Sequence, residues 1–161
     1  MTVAHPFEPV FDSHSRILIL GSFPSVRSRE EGFYYGHPQN RFWRVLAAVL
    51  GTETPEGTEQ KKRLLLSHGL ALWDAAAQCE IEGSKDSSIR AAVPTDLSVI
   101  TAAAHIRRVV CNGQTAGRLY RRLQQPLTGL PAEVLPSTSP LNAAWSPERL
   151  TEAWRAALKT I

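Results

Sequence analysis

Three short stretches concentrate residue types that can do chemistry. GSFPS (21–25) and STSPLN (137–142) each combine small hydroxyl side chains with a proline. A backbone stiffened in this way offers N–H groups and hydroxyls to a phosphate without the ordering cost that a flexible lysine carries. Between them, YYGHPQNRFW (34–43) packs four aromatics, a histidine, a glutamine, an asparagine and an arginine around one glycine and one proline. Arginine makes up 14 of the 18 cationic residues, and its planar fork suits bidentate contact with phosphate or carboxylate. The formal charge of +3 is only mildly basic, so composition permits a nucleic-acid partner without requiring one.

Other chemistries find no support. GSFPS is not a phosphate-cradling G-x-x-x-x-G-K-[ST] loop, and neither G-x-G-x-x-G nor G-x-S-x-G occurs. Histidines 5, 14, 37, 68 and 105 form no pair at metal-ligand spacing. Cys79 and Cys111 stand far apart in apolar contexts and read as reduced core thiols. No metal and no organic cofactor are expected.

The elements that must hold these stretches follow from periodicity. RILILG (16–21) is a continuous apolar run stopped by glycine, the pattern of a strand buried on both faces. A long polar and aromatic loop follows over 22–40. RFWRVLAAVL then has apolar residues at three-and-four spacing, with Gly51 placed to end the helix. The pattern repeats: helix GTEQKKRLLLSHG, strand LALW, helix PTDLSVITAAAH, strand IRRVVCNG, helix QTAGRLYRRL, strand AEVLP, and helix SPERLTEAWRAAL with Ser146 as N-cap. GSKDSS (83–88) reads as a flexible polar loop. Alternating strands and helices predict an α/β fold, a three-layer α/β/α arrangement around a mainly parallel four-stranded sheet. Its 161 residues suffice for one domain, 1–161. No run of 18 apolar residues and no basic-then-apolar leader occurs, so neither a membrane span nor a secretory signal is expected, and the protein is assigned to the cytoplasm. In such sheets ligands bind beyond the carboxyl ends of the strands, which directs attention to GSFPS, DAAA, NGQ and STSPLN.

Taken together, GSFPS, GFYYGHPQNRFW and STSPLN resemble the motifs of the uracil-DNA glycosylase superfamily, most closely its hypoxanthine-DNA glycosylase (deoxyinosine glycosylase) branch. The most specific element is HPQNRFW, nearly identical to the His-Pro-x-Asn-Arg-Phe-Trp run of the mismatch-specific members. The resemblance implies a uracil-DNA glycosylase-like three-layer fold and a monofunctional enzyme. Such an enzyme flips a deaminated base out of DNA and hydrolyses its N-glycosidic bond, with no cofactor, no membrane, DNA as partner and a monomeric state. Hypoxanthine is the implied lesion, with uracil as a further one. The alternatives are a G:U/G:T mismatch-specific uracil glycosylase and a glycosylase-like module that binds DNA without cutting.

Site roles carry over position by position. The catalytic role falls on Asn40, whose amide oxygen can hold a water; helix capping is its other reading. The chain departs from the better-known relatives in carrying Phe23 where they have an aspartate or asparagine, and Ser137 where they have a histidine. A base pocket is implied for Gly21, Ser22, Phe23, Tyr35, His37, Asp74 and Ser137, with Tyr35 aligned to a base-stacking aromatic. Asp74 ends the second strand, and a carboxylate there can accept the N1–H that hypoxanthine has and adenine lacks. Capping of DAAAQC is its other reading. DNA contacts are implied for Ser25, Arg27, Arg29, Arg41, Ser139, Leu141 and Asn142, Leu141 matching a leucine that wedges into the duplex.

Overall fold

The computed structural model describes residues 2–159. In chain order its elements are β1 (Thr2–Ala4), β2 (Ile17–Gly21), α1 (Val26–Glu31), α2 (Phe42–Leu50), α3 (Gly57–Ser67), β3 (Leu70–Asp74), β4 (Ala76–Glu80) and β5 (Arg90–Pro94), followed by α4 (Ser98–Thr101), β6 (Arg108–Asn112), α5 (Gln114–Leu123), α6 (Gln125–Thr128), β7 (Ala132–Leu135) and α7 (Pro147–Leu158). β3, β2, β6 and β7 form a four-stranded sheet in that order, and every pairing in it is parallel.

The apolar run of β2 explains its central place. All five of its residues are buried, and its alternate side chains feed two separate cores, as strand geometry requires. Ile17 and Ile19 join Phe42, Leu46, Leu65, Leu150 and Trp154 beneath α2, α3 and α7. Leu18 and Leu20 join Ile100, Val109, Ala116, Leu119 and Tyr120 beneath α4 and α5. The expected three layers are therefore present, with one core on each face of the sheet. Among the described residues no helix is long and apolar enough to cross a membrane.

The structure departs from the expected elements in four places. Residues 22–40 are not all loop: Ser25 caps α1 by accepting from Ser28 N, and Gly32 closes it in the left-handed region at φ 82°. PTDLSVITAAAH is helical only over Ser98–Thr101, because Pro94 ends β5 and Thr95 is buried, its hydroxyl donating to Asp74 O at 2.8 Å. DAAAQC is not a capped helix. Its Ala76–Glu80 is β4, which joins β1 and β5 in a second, antiparallel sheet. GSKDSS is anchored: Ser84 Oγ accepts from Val26 N at 2.9 Å, Gly83 O accepts from Arg29 Nη2 at 2.8 Å, and residues 86–88 form a 3₁₀ turn.

Candidate active site

Beyond the carboxyl ends of the four parallel strands lies a cavity of about 690 Å³, within the usual range for a small-molecule site. Its floor is built where β2 and β3 end side by side, Gly21 in register with Asp74. A β-carbon on Gly21 would lie 2.3 Å from Asp74 Oδ1 and 2.7 Å from the Tyr35 hydroxyl, so only glycine lets both oxygens converge there.

Asp74 is 3% exposed, and its Oδ2 meets His5 Nε2 at 2.8 Å. Phe7 N donates to His5 Nδ1 at 3.1 Å. Nδ1 also lies 3.0 Å from Phe7 O, and because a carboxylate only accepts, it is Nε2 that carries a proton and donates to Asp74 Oδ2. Asp74 Oδ1 has no hydrogen-bond partner among the described residues and remains an acceptor facing the cavity. Tyr35 is held at φ 54°, unusual for a residue other than glycine. One face of its ring stacks on Phe42 at 4.2 Å. Its buried hydroxyl has no partner among the described residues, and burial, with Asp74 adding to it, pushes the phenol well above its ordinary pKa. The floor thus presents a fixed acceptor and a neutral O–H side by side.

Asn40 stands on a second wall, also lining the cavity. Its Oδ1 accepts from Phe42 N at 2.9 Å and from Thr138 Oγ1 at 2.9 Å. Thr138 is tied in turn to Asn112, accepting from Nδ2 at 3.0 Å and donating its own N–H to Oδ1 at 3.1 Å. Arg41 is the N-cap of α2 and makes no side-chain cap bond; Asn40, one residue earlier, satisfies Phe42 N at the helix start, and both lone pairs of its amide oxygen are used. Its Nδ2 has no partner among the described residues. This corrects the expectation that the oxygen holds a water: the group left for substrate is the donor end of the amide.

The loop 137–145 forms the third wall. Arg41 does not stand on the rim as a phosphate contact. Its guanidinium donates to Ser139 O at 2.9 Å, to Asn142 O at 3.1 Å and to Trp145 O, so it organises the loop from beneath. Ser139 Oγ accepts from Leu141 N, and Ser137 Oγ accepts from Ser139 N. Asn142 donates one amide N–H to Ser137 O at 3.0 Å, which leaves its second N–H and its amide oxygen for a DNA base. Leu141, held at the turn, is 77% exposed beside the cavity.

The fourth wall comes from GSFPS, α1 and the 82–88 turn. Ser22 and Phe23 line the cavity and are buried, Phe23 packing on Ala76 and Cys79. Ser25 caps α1, Arg29 is engaged by Pro24 O and Gly83 O, and Arg27 lies exposed on α1 paired with Glu31 at 2.7 Å. His37 does not line the cavity; its Nδ1 accepts from Gln39 N at 3.0 Å and stiffens its own loop.

Four residues that the sequence did not single out also shape the site. Thr138 and Asn112 lie in STSPLN and NGQ, whose loops were marked although these side chains were not. His5 comes from an N-terminal segment with no signal of its own. Asp86 lines the cavity from the GSKDSS turn, whose composition reads as flexible, and is half-buried. No periodicity points to any of them, because each acquires its place only through pairing with distant residues.

The comparisons with known proteins agree with this architecture. Residues 8–158 match the model of the Uracil DNA glycosylase superfamily. The chain is 36% identical over 155 residues to the Hypoxanthine DNA glycosylase of Methanosarcina acetivorans, covering 95% of this chain and 96% of that protein. It is 32% identical over 138 residues to the protein of the same name from Methanosarcina barkeri, covering 84% and 86% respectively. The solution NMR structure of a Methanosarcina acetivorans protein assigned as a uracil DNA glycosylase superposes with a TM-score of 0.83 at 33% identity, covering 99% of this chain and 98% of that one. A sheet of this order, with the cavity at its carboxyl edge and HPQNRFW and STSPLN on facing walls, places the chain in a family: it belongs to the uracil DNA glycosylase superfamily.

Proposed function

We propose that this protein is a monofunctional DNA glycosylase that hydrolyses the N-glycosidic bond of deoxyinosine, releasing hypoxanthine. The observation that carries the reading is the cavity floor, where the unpartnered Oδ1 of buried Asp74 faces the space a flipped base would occupy. Deamination of adenine turns the N1 acceptor into an N1–H donor, and deamination of cytosine does the same at N3. A fixed acceptor backed by His5 therefore favours both deaminated bases and leaves their parents with two acceptors opposed. The two curated relatives support hypoxanthine as the main lesion.

Asn40 supplies the other half of the reaction. Departure of the base leaves an oxocarbenium-like sugar that needs a positioned water more than a strong base. Nδ2 of Asn40 can donate to one lone pair of that water and leave the second for C1′, which is why the loop after β2 can dispense with an acid at Phe23. Leu141 fills the gap left by the flipped nucleotide. Lys85 lines the cavity but is exposed rather than desolvated, so it lacks the environment that turns an amine into a nucleophile.

The test is incubation with labelled duplexes carrying one deoxyinosine, uracil or mismatched thymine, followed by alkali. The expected result is alkali-dependent cleavage at deoxyinosine, a lesser one at uracil, and no adduct trapped by borohydride. Cleavage at uracil or thymine mismatches alone would make the protein a mismatch-specific uracil glycosylase. Binding without an abasic site on any duplex would make it a recognition module.

A further inference from the structure

One ionisable side chain in the cavity has no part in the chemistry above. Asp86 reaches the site from the turn between β4 and β5, which is stapled to α1 through Ser84 Oγ and Gly83 O. Within the turn, Ser88 Oγ accepts from Glu82 N at 2.8 Å and donates to Lys85 O at 2.6 Å. The carboxyl is therefore carried on a fixed backbone. It shares the cavity wall with Ser22, and Asp74 of β3, Arg118 of α5, Tyr35 and Cys79 of β4 are the titratable or charged groups acting on it or feeling it. Burial raises its pKa; the Ser22 hydroxyl opposes this, Asp74 adds to it and Arg118 opposes it. Entry of a polyanionic strand pushes in the same direction as burial.

Release of a purine offers a route that release of a pyrimidine does not. When the N9–C1′ bond breaks, its electron pair passes into the base, and a purine can take a proton on N7 to leave as a neutral molecule. Uracil has no imidazole ring to protonate. Resting on the hypoxanthine reading above, we propose that Asp86 is the general acid of the reaction, giving its proton to N7 of the departing hypoxanthine. The bond pair of N9–C1′ stays with the base, water adds to C1′, and one proton of that water returns through solvent to the Asp86 carboxylate. Nothing is oxidised or reduced.

The experiment is single-turnover release from duplexes containing deoxyinosine or 7-deaza-2′-deoxyinosine, from pH 5 to 9, by wild type and Asp86→Asn. For the wild type on deoxyinosine, the rate should fall about tenfold per pH unit on the alkaline side of the Asp86 pKa. Asp86→Asn should be about 10²- to 10⁴-fold slower, the range for a positioned acid, and should lose this limb. On the 7-deaza substrate, which has no basic N7, wild type and variant should be equally slow. This arm needs an active wild type, so a misfolded variant cannot imitate the pattern. Asp86→Asn matching wild type, or slowing both substrates by one factor, overturns the acid. A wild type that releases no hypoxanthine overturns the glycosylase reading itself, and that appears in the wild-type arm alone.

Discussion

Asn40 places two demands on a single amide. Its oxygen holds the first turn of α2 and the Thr138 hydroxyl, while its nitrogen faces the cavity. Asn40→Ala removes both functions and should lose more than about 100-fold in hypoxanthine release, together with about 1 kcal/mol of stability from the lost hydrogen bonds to Phe42 N and Thr138 Oγ1. Asn40→Asp separates them: the carboxylate still accepts from Phe42 N and Thr138 Oγ1 but donates nothing. It should melt close to wild type by calorimetry while staying inactive. An active Asn40→Asp would overturn the donor role assigned to Nδ2. At Asp74, replacement by asparagine offers an N–H to the base edge as readily as an oxygen, so the variant should lose preference for deoxyinosine over deoxyadenosine in competition assays. Both residues were visible in the sequence, one within a specific motif and one at a strand end. Their partners were not. Thr138 and Asn112 lie 98 and 72 residues along the chain from Asn40, and neither has a local pattern that announces a hydrogen bond across the cavity.

At the scale of elements, the 137–145 loop depends on one guanidinium. Arg41 reaches three carbonyls from below, a geometry that a lysine point charge cannot reproduce. Arg41→Lys should therefore weaken binding to lesion-containing duplex through disorder around Leu141, while leaving the salt dependence of binding unchanged. In Arg41→Gln, which removes the charge, the salt slope should likewise stay unchanged, whereas a phosphate contact at Arg41 would flatten it by about one unit. The helices α2, α5 and α7 were legible from apolar spacing, supported at the end of α2 by Gly51 in the left-handed region and at the start of α7 by Ser146, which accepts from Arg149 N at 3.2 Å. The second sheet was not legible. AAQCE and RAAVP are short and alanine-rich, with no clean alternation, and become strands by pairing with each other and, for β4, with β1 from far away in sequence. The single turn of α4 was overestimated for a related reason: an alanine-rich stretch favours helix locally, and buried Thr95 and the end of β5 override it.

For the molecule as a whole, the parallel sheet was the most legible feature, since ILILG can be buried on both faces only if helices cover both. The site is costly to this scaffold. Asp86 binds its proton more tightly folded than unfolded, so its ionisation opposes folding. That contribution is absent below the ordinary aspartate pKa of 3.8 and grows as pH rises through the raised folded value. Asp86→Asn should consequently melt above wild type at pH 7, with the gap closing near pH 4 in a melting series. The anchored turn that carries Asp86 also has a bearing on how such a protein diversifies. It is the tip of a hairpin outside the parallel sheet, and hairpin tips accept insertions and exchanges with little disturbance to the strands behind them. One side of the cavity can thus be rewritten, in length and in chemistry, while the floor and the asparagine wall stay in place. The side chain that faces the cavity from this wall can be exchanged with no need to rebuild the fold that holds it.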